Sequence, residues 1–127
     1  MMGTDNYKHA EITETIIKAF YKVYNAMGYG FLEKVYENAL FFELEAMDLL
    51  VEKQKQITVY YENEIVGEYF VDLVVEEDVI VELKASKSIR KEHEFQLINY
   101  LKATDIEVGL LLNFGEKPEV KRKVFSH

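Results

Sequence analysis

The chain has 127 residues, 49% of them hydrophobic and 30% charged, which fits one ordinary globular domain and is short for two. Fifteen Lys and Arg against 23 Asp and Glu leave a formal charge of -8, which argues against a protein that coats nucleic acid through a broad basic surface. With no cysteine, disulfides, thiolate metal sites and cysteine nucleophiles are excluded.

The N-terminal stretch MMGTDNYKHAEITET is polar and reads as no secretory signal, and no later run approaches the roughly 18 apolar residues of a membrane span. A soluble, cytoplasmic protein with no membrane partner is the expectation. Ile12, Ile16, Phe20, Val23 and Met27 recur at helical intervals, and Gly28 is placed to end that helix. A second helix is predicted over about Phe31 to Met47; its stripe Leu40, Leu44, Met47 runs back through Tyr36 to Glu33, so an acid closes a face otherwise made for the core. From Val51 the period becomes that of strands, in QITVYY, EIVGEYFVDLVV and VIVELKA, broken by ENE at 62–64 and EED at 76–78. Gaps so short predict an antiparallel meander. Lys87 to Ala103 returns to helical spacing, IEVGLLLNF (106–114) suits a strand buried on both faces, and a last short strand fits 121–125. One proline, six glycines and no linker or repeat make residues 1–127 a single expected domain. The fold class is α/β (α+β), a central mixed β-sheet flanked by helices in the order α-α-β-β-β-α-β.

Within these elements three charges interrupt strands that otherwise call for burial: Asp72 in FVDLVV, and Glu82 and Lys84, two apart and so on one face of VIVELKA. A charge there costs several kcal/mol unless it is paired or bound to metal. A cross-strand salt bridge is one explanation, and the acid-x-Lys pattern does recur at Glu119 and Lys121. The other is a site: two carboxylates and the Leu83 carbonyl are hard oxygen donors of the kind Mg²⁺ takes, and a lysine beside them can position water or offset charge on a phosphate. The following helix carries His93, Gln96 and Tyr100 on one face. Competing motifs fail. His93-Glu94 opens like HExxH but position 97 is Leu; His9 and Glu11 lack the cysteines of a zinc deaminase; no glycine-rich phosphate loop and no GxSxG is present.

Gly30-Phe31-Leu32-Glu33-Lys34-Val35-Tyr36, followed by ENAL, resembles the signature of the GxxExxY family, and Asp72 with Glu82-Leu83-Lys84 resembles the active-site motif of the PD-(D/E)XK nuclease superfamily that contains it. Gln96 and Tyr100 in QLINYLKA resemble the QxxxY helix of its RecB-like branch. The resemblance implies a restriction-endonuclease-like core and a metal-dependent nuclease that hydrolyses phosphodiesters of nucleic acid, DNA first. It implies Asp72, Glu82 and the Leu83 backbone carbonyl as ligands of Mg²⁺ or Mn²⁺, with Glu33 approaching directly or through water. It also implies Lys84 serving the attacking water, and Gln96 and Tyr100 steadying Lys84 or the phosphate. The superfamily proline is Val71 here, and Tyr29 stands where relatives carry proline. The charge is unevenly distributed: residues 1–83 hold 6 basic and 17 acidic residues, residues 84–127 hold 9 and 6. Lys87, Arg90, Lys91, Lys121 and Arg122 are therefore expected to hold the nucleic-acid backbone, and a homodimer would let so small a domain span a duplex. The alternative is a nuclease fold without catalysis, working as a nucleic-acid or protein binding module.

Overall fold

The structure is a computed structural model that describes residues 9–127; residues 1–8, the start of the polar N-terminal stretch, lie outside it. Helix α1 (Ala10–Met27) ends at Gly28, whose φ of 68° suits glycine and whose amide donates to the Tyr24 carbonyl. Helix α2 (Glu33–Ala46) follows after a short loop, two residues later than its apolar pattern begins. Strands β1 (Val51–Tyr61), β2 (Glu64–Val75) and β3 (Val79–Lys84) form the meander, α3 (Lys91–Lys102) crosses over, and β4 (Val108–Phe114) and β5 (Pro118–Val124) complete one sheet in the order β1-β2-β3-β4-β5. The β3–β4 pair is parallel and every other pair antiparallel, so the sheet is mixed as expected.

The sheet divides the core in two. Ile16, Phe20, Tyr36 and Leu40 of α1 and α2 pack on Leu73, Val81, Leu83, Leu110 and Leu112 on one face. On the other, Leu97, Tyr100 and Leu101 of α3 pack on Val71, Val74, Ile80 and Leu111. Gly109 of β4 lets α3 come close: a Cβ there would stand 2.7 Å from Leu97 Cδ1. The β1–β2 hairpin turns at Glu62 and Asn63, both at positive φ (48° and 69°), the conformation of the primed turns that match strand twist.

Other boundaries also differ from the sequence reading, β4 starting at Val108 and not Ile106 among them. Helix α3 starts at Lys91 and not Lys87, because residues 86–89 are tied to the sheet instead. The Ser86 amide donates to Asn113 Oδ1 at 3.0 Å and the Ile89 amide to Glu119 Oε1 at 3.1 Å. Strand β5 begins at Pro118, the one end of a strand where a missing N–H costs little, rather than at Lys121.

Candidate active site

The site begins with a fault in β2. Val71 belongs to the α3-side core and Leu73 to the opposite one, so the strict alternation of side chains breaks at Asp72. Its neighbour across β1 is out of line too: Gln54 has φ of 50°, and the β1–β2 pairing runs Lys53 to Leu73 and Lys55 to Val71 with nothing paired between. On the other side the β2–β3 ladder stops at Leu73–Val81. Beyond that point side chains replace backbone pairing. The Asp72 amide donates to Glu82 Oε2 at 2.7 Å, and the Leu83 amide donates to Asp72 Oδ2 at 2.8 Å. Two backbone donors that a parting ladder would strand are thereby satisfied by the two acids.

The arrangement is electrostatically expensive. Glu82 is 8% exposed, and burial first, then the charge of Asp72, push its carboxyl up to about 8. Asp72 is raised as well, by burial and by the Glu37 charge, against the lowering effect of the Leu83 hydrogen bond. Lys84, two residues on and on the α3 face with Glu82, lies close enough to oppose the Glu82 shift. Tyr100 reaches the same place from α3: burial, followed by the charge of Glu82, drives its phenol up to about 12, and Gln96 partners its hydroxyl. His93 stays neutral more readily than a free imidazole, through burial and the positive charges of Lys84 and Arg90, and its Nδ1 accepts the Arg90 amide at 3.1 Å.

Glu33 is the first residue of α2 and is exposed. Its charge is felt by Asp72, Glu82 and His93 without a direct contact. Tyr36, one turn later, positions it. The buried Tyr36 hydroxyl donates to the Gly28 carbonyl at 2.8 Å and accepts the Phe31 amide at 3.2 Å, and its ring stacks on Phe114 at 4.1 Å. The loop that delivers Glu33 is thus closed by the tyrosine of the same Gly-to-Tyr motif.

Two participants are absent from the sequence reading. Glu37 is 4% exposed, and Gln54 Nε2 donates both to Glu37 Oε1 at 2.9 Å and to Asp72 Oδ1 at 3.3 Å, joining α2 to the acid pair. The one available signal was spacing: Glu37 follows Glu33 by a helical turn.

Glu33, Asp72, Glu82, Lys84, Gln96 and Tyr100 therefore come together where β2, β3, α2 and α3 meet. The basic residues do not form one rim. Lys121 lies opposite Leu111 on the α3 side, where with Lys91 and Lys123 it surrounds Glu94, and Lys123 pairs with Glu94 at 2.6 Å. Arg122 lies opposite Leu110 and so on the other face. Lys87 is exposed in the loop after Lys84, and Arg90 Nε pairs with Glu92 at 3.1 Å.

Among the described residues, no three His, Asp or Glu side chains gather as a metal cage. The two carboxylates, which repel each other here, are nonetheless hard oxygen donors of the kind a cation such as Mg²⁺ takes.

The model of the PD-(D/E)XK nuclease superfamily matches residues 10–123. The chain belongs to that superfamily. As a PD-(D/E)XK nuclease homologue it is also similar in fold to a solved structure, that of SSO0001, with a TM-score of 0.60 and 16% identity, over 74% of this chain and 50% of the other. At that identity the likeness concerns the fold alone, and the chain spans half the length of that protein. No relative was found among curated proteins. The five-stranded mixed sheet with flanking helices agrees with a restriction-endonuclease-like fold. Among the described residues no helix is long and apolar enough to cross a membrane.

Proposed function

We propose that this PD-(D/E)XK protein is a metal-dependent nuclease of the GxxExxY type that hydrolyses phosphodiesters of DNA. The observation that carries the reading is the reciprocal bonding of Asp72 and Glu82 across the mouth of β2 and β3, with Lys84 on the same face. A structural ion pair would have placed a cation between the two acids; here Glu82 is buried and Asp72 half-buried, and each is spent on the other's strand.

The Leu83 amide points at Asp72, and amide and carbonyl of one strand residue point the same way, which supports the Leu83 carbonyl as a third oxygen donor. Asp72, Glu82 and that carbonyl would hold Mg²⁺ or Mn²⁺, with Glu33 in reach through water; the bound cation would polarise the phosphate and offset its charge. Lys84 orients the attacking water from the face it shares with Glu82. Tyr100, held neutral and bonded to Gln96, donates toward a phosphate oxygen, and the two steady the phosphate or Lys84. Lys87, Arg90, Lys91 and Lys121 support backbone contacts; Arg122, on the other face, would need a substrate that wraps the sheet edge.

Purified protein with Mn²⁺ or Mg²⁺ should cut plasmid or oligonucleotide DNA, and Asp72→Ala and Lys84→Ala should each remove the activity. Cleavage that survives both changes overturns the assignment. Calorimetric titration with Mn²⁺ adds a readout independent of turnover: one-to-one binding lost in Glu82→Gln supports the enzyme, and no binding leaves a noncatalytic module.

A further inference from the structure

Outside the acid pair, a groove of about 890 Å³ runs between α3 and the β1–β2 hairpin. Its walls carry unusual side chains. Tyr60 is 63% exposed, Tyr69 46% and Phe95 65%, and all three line the groove, the tyrosines from the hairpin and the phenylalanine from the helix. One exposed ring is ordinary on a protein surface; three on facing walls of one slot are not. The rings lie next to polar groups, Asn99 and Gln96 among them, with Lys102 as the basic member.

The groove leads into the site. Tyr100 and Gln96 line it and also belong to the group around Glu82 and Lys84, and the Tyr69 ring stands 5.7 Å from that of Tyr100, tilted by 53°. A chain lying between hairpin and helix would arrive at the acid pair at its inner end. The charge in the slot is close to balanced, since its lining carries Lys102 near one end of α3 and Glu92 near the other, the latter engaged by Arg90. That does not suit a phosphate-coated duplex, whose major groove alone is about 12 Å wide. It does suit bases whose flat faces are free, because every base has a face that can stack on an aromatic ring whatever the sequence.

We propose that this groove binds unpaired nucleotides, so that Tyr60, Tyr69 and Phe95 stack the bases of a single strand and feed it to the Asp72–Glu82–Lys84 site. The assignment rests on the nuclease reading for its direction of travel, but the binding is a property of the groove itself. It follows that the contribution of the groove is stacking, with a shallow dependence on salt, as the single basic side chain requires.

The test is fluorescence anisotropy of a labelled oligothymidylate and of a duplex of the same length, in EDTA so that no cleavage intervenes. Single-stranded DNA should bind more tightly than duplex, and Phe95→Ala and Tyr60→Ala should each weaken it about 5- to 150-fold, the range that loss of a base–aromatic stack converts to. Phe95→Trp should restore binding, and circular dichroism of each variant should be unchanged because these rings are exposed. Equal binding of all variants, preference for duplex, or self-association in sedimentation that these substitutions abolish would overturn the groove assignment, the last by giving the groove to a second copy of the chain. The two readings separate cleanly. Lys84→Ala that binds the single strand but cannot cut leaves both standing; groove binding without any cleavage in the wild type sinks only the nuclease, and duplex cleavage with no role for Phe95 sinks only the groove.

Discussion

Asp72 and Glu82 each accept a hydrogen bond from the other's strand, Asp72 Oδ2 from the Leu83 amide at 2.8 Å and Glu82 Oε2 from the Asp72 amide at 2.7 Å. The two strands separate at this point, and the acids hold them at a fixed spacing while remaining mutually repulsive. Stability is given up locally to keep two carboxylates together, which is a recurrent property of sites and not of scaffolding.

That cost sets a pH dependence. Glu82 titrates near 8 in the folded protein against an ordinary 4.5, so the folded state binds a proton that the unfolded state releases. The associated stability is present in full below about pH 4.5 and is lost as pH rises through 8. In EDTA, thermal denaturation of the wild type should therefore show falling stability from pH 5 to 8. Glu82→Gln, which keeps an acceptor for the Asp72 amide and removes the charge, should flatten that profile and exceed the wild type at pH 8. A profile that rises over this interval in both proteins would contradict the buried repulsion.

Lys84 is close enough to oppose the Glu82 shift, yet it sits at the end of β3 with its side chain half-buried. Lys84→Met preserves the apolar stem and removes the ammonium. Cleavage should drop by about 100-fold or more, the usual cost of removing one positioned charge or donor from a transition state. Mn²⁺ binding by calorimetry should survive or tighten with the loss of a neighbouring positive charge. Loss of metal binding together with activity would make Lys84 a structural residue.

Much of this was legible in the sequence, for reasons that differ by element. Strand β2 matches EIVGEYFVDLVV residue for residue because a run rich in β-branched and aromatic residues is bounded on both sides by polar turns. Asp72, Glu82 and Lys84 stood out because charge in such a run has few innocent explanations. The break in alternation at Asp72 was not legible: FVDLVV reads alike with either face inward, and the fault depends on Gln54 in another strand. The start of α3 was missed for a similar reason, since Asn113, 27 residues from Ser86, and Glu119 hold the loop before it. Glu119 itself, the second acid-x-Lys in the chain, is committed to that loop through Asn113 Nδ2 and the Ile89 amide. The acid-x-Lys spacing alone does not distinguish it from Glu82; the polar segment PEVKRKV around it and its partners do.

The loop before α2 offers a test of how Glu33 is held. Tyr36→Phe keeps the ring stacked on Phe114 and deletes the hydroxyl, leaving the Gly28 carbonyl and the Phe31 amide without their partner. The expected cost is about 1–3 kcal/mol, which in a chain of this size lowers Tm by roughly 3–6 °C per kcal/mol. If Glu33 acts at the site, kcat should fall further than the stability loss explains at a temperature where both proteins are fully folded. Unchanged turnover in a protein so destabilised would confine Tyr36 to the core.

Two glycines separate a tolerant contact from an intolerant one. At Gly109 an added Cβ meets the buried Leu97 side chain at Cδ1, Cγ and Cδ2 (2.7, 3.0 and 3.1 Å), a side chain and not backbone, so Gly109→Ala should cost about 1–3 kcal/mol with the fold kept. At Gly115 it meets the Ser86 carbonyl oxygen at 2.5 Å, a backbone atom fixed by Asn113 Nδ2 at 2.9 Å. Relief there requires the loop after Lys84 to move. Gly115→Ala should therefore be the more damaging in urea denaturation, and hydrogen exchange should show the Ser86 and Ile89 amides losing protection ahead of the sheet. Because that loop connects Lys84 to the helix bearing His93, Gln96 and Tyr100, the activity of Gly115→Ala should fall more than that of Gly109→Ala at equal residual stability. Equal behaviour of the two would mean that the loop yields freely and does not fix the site.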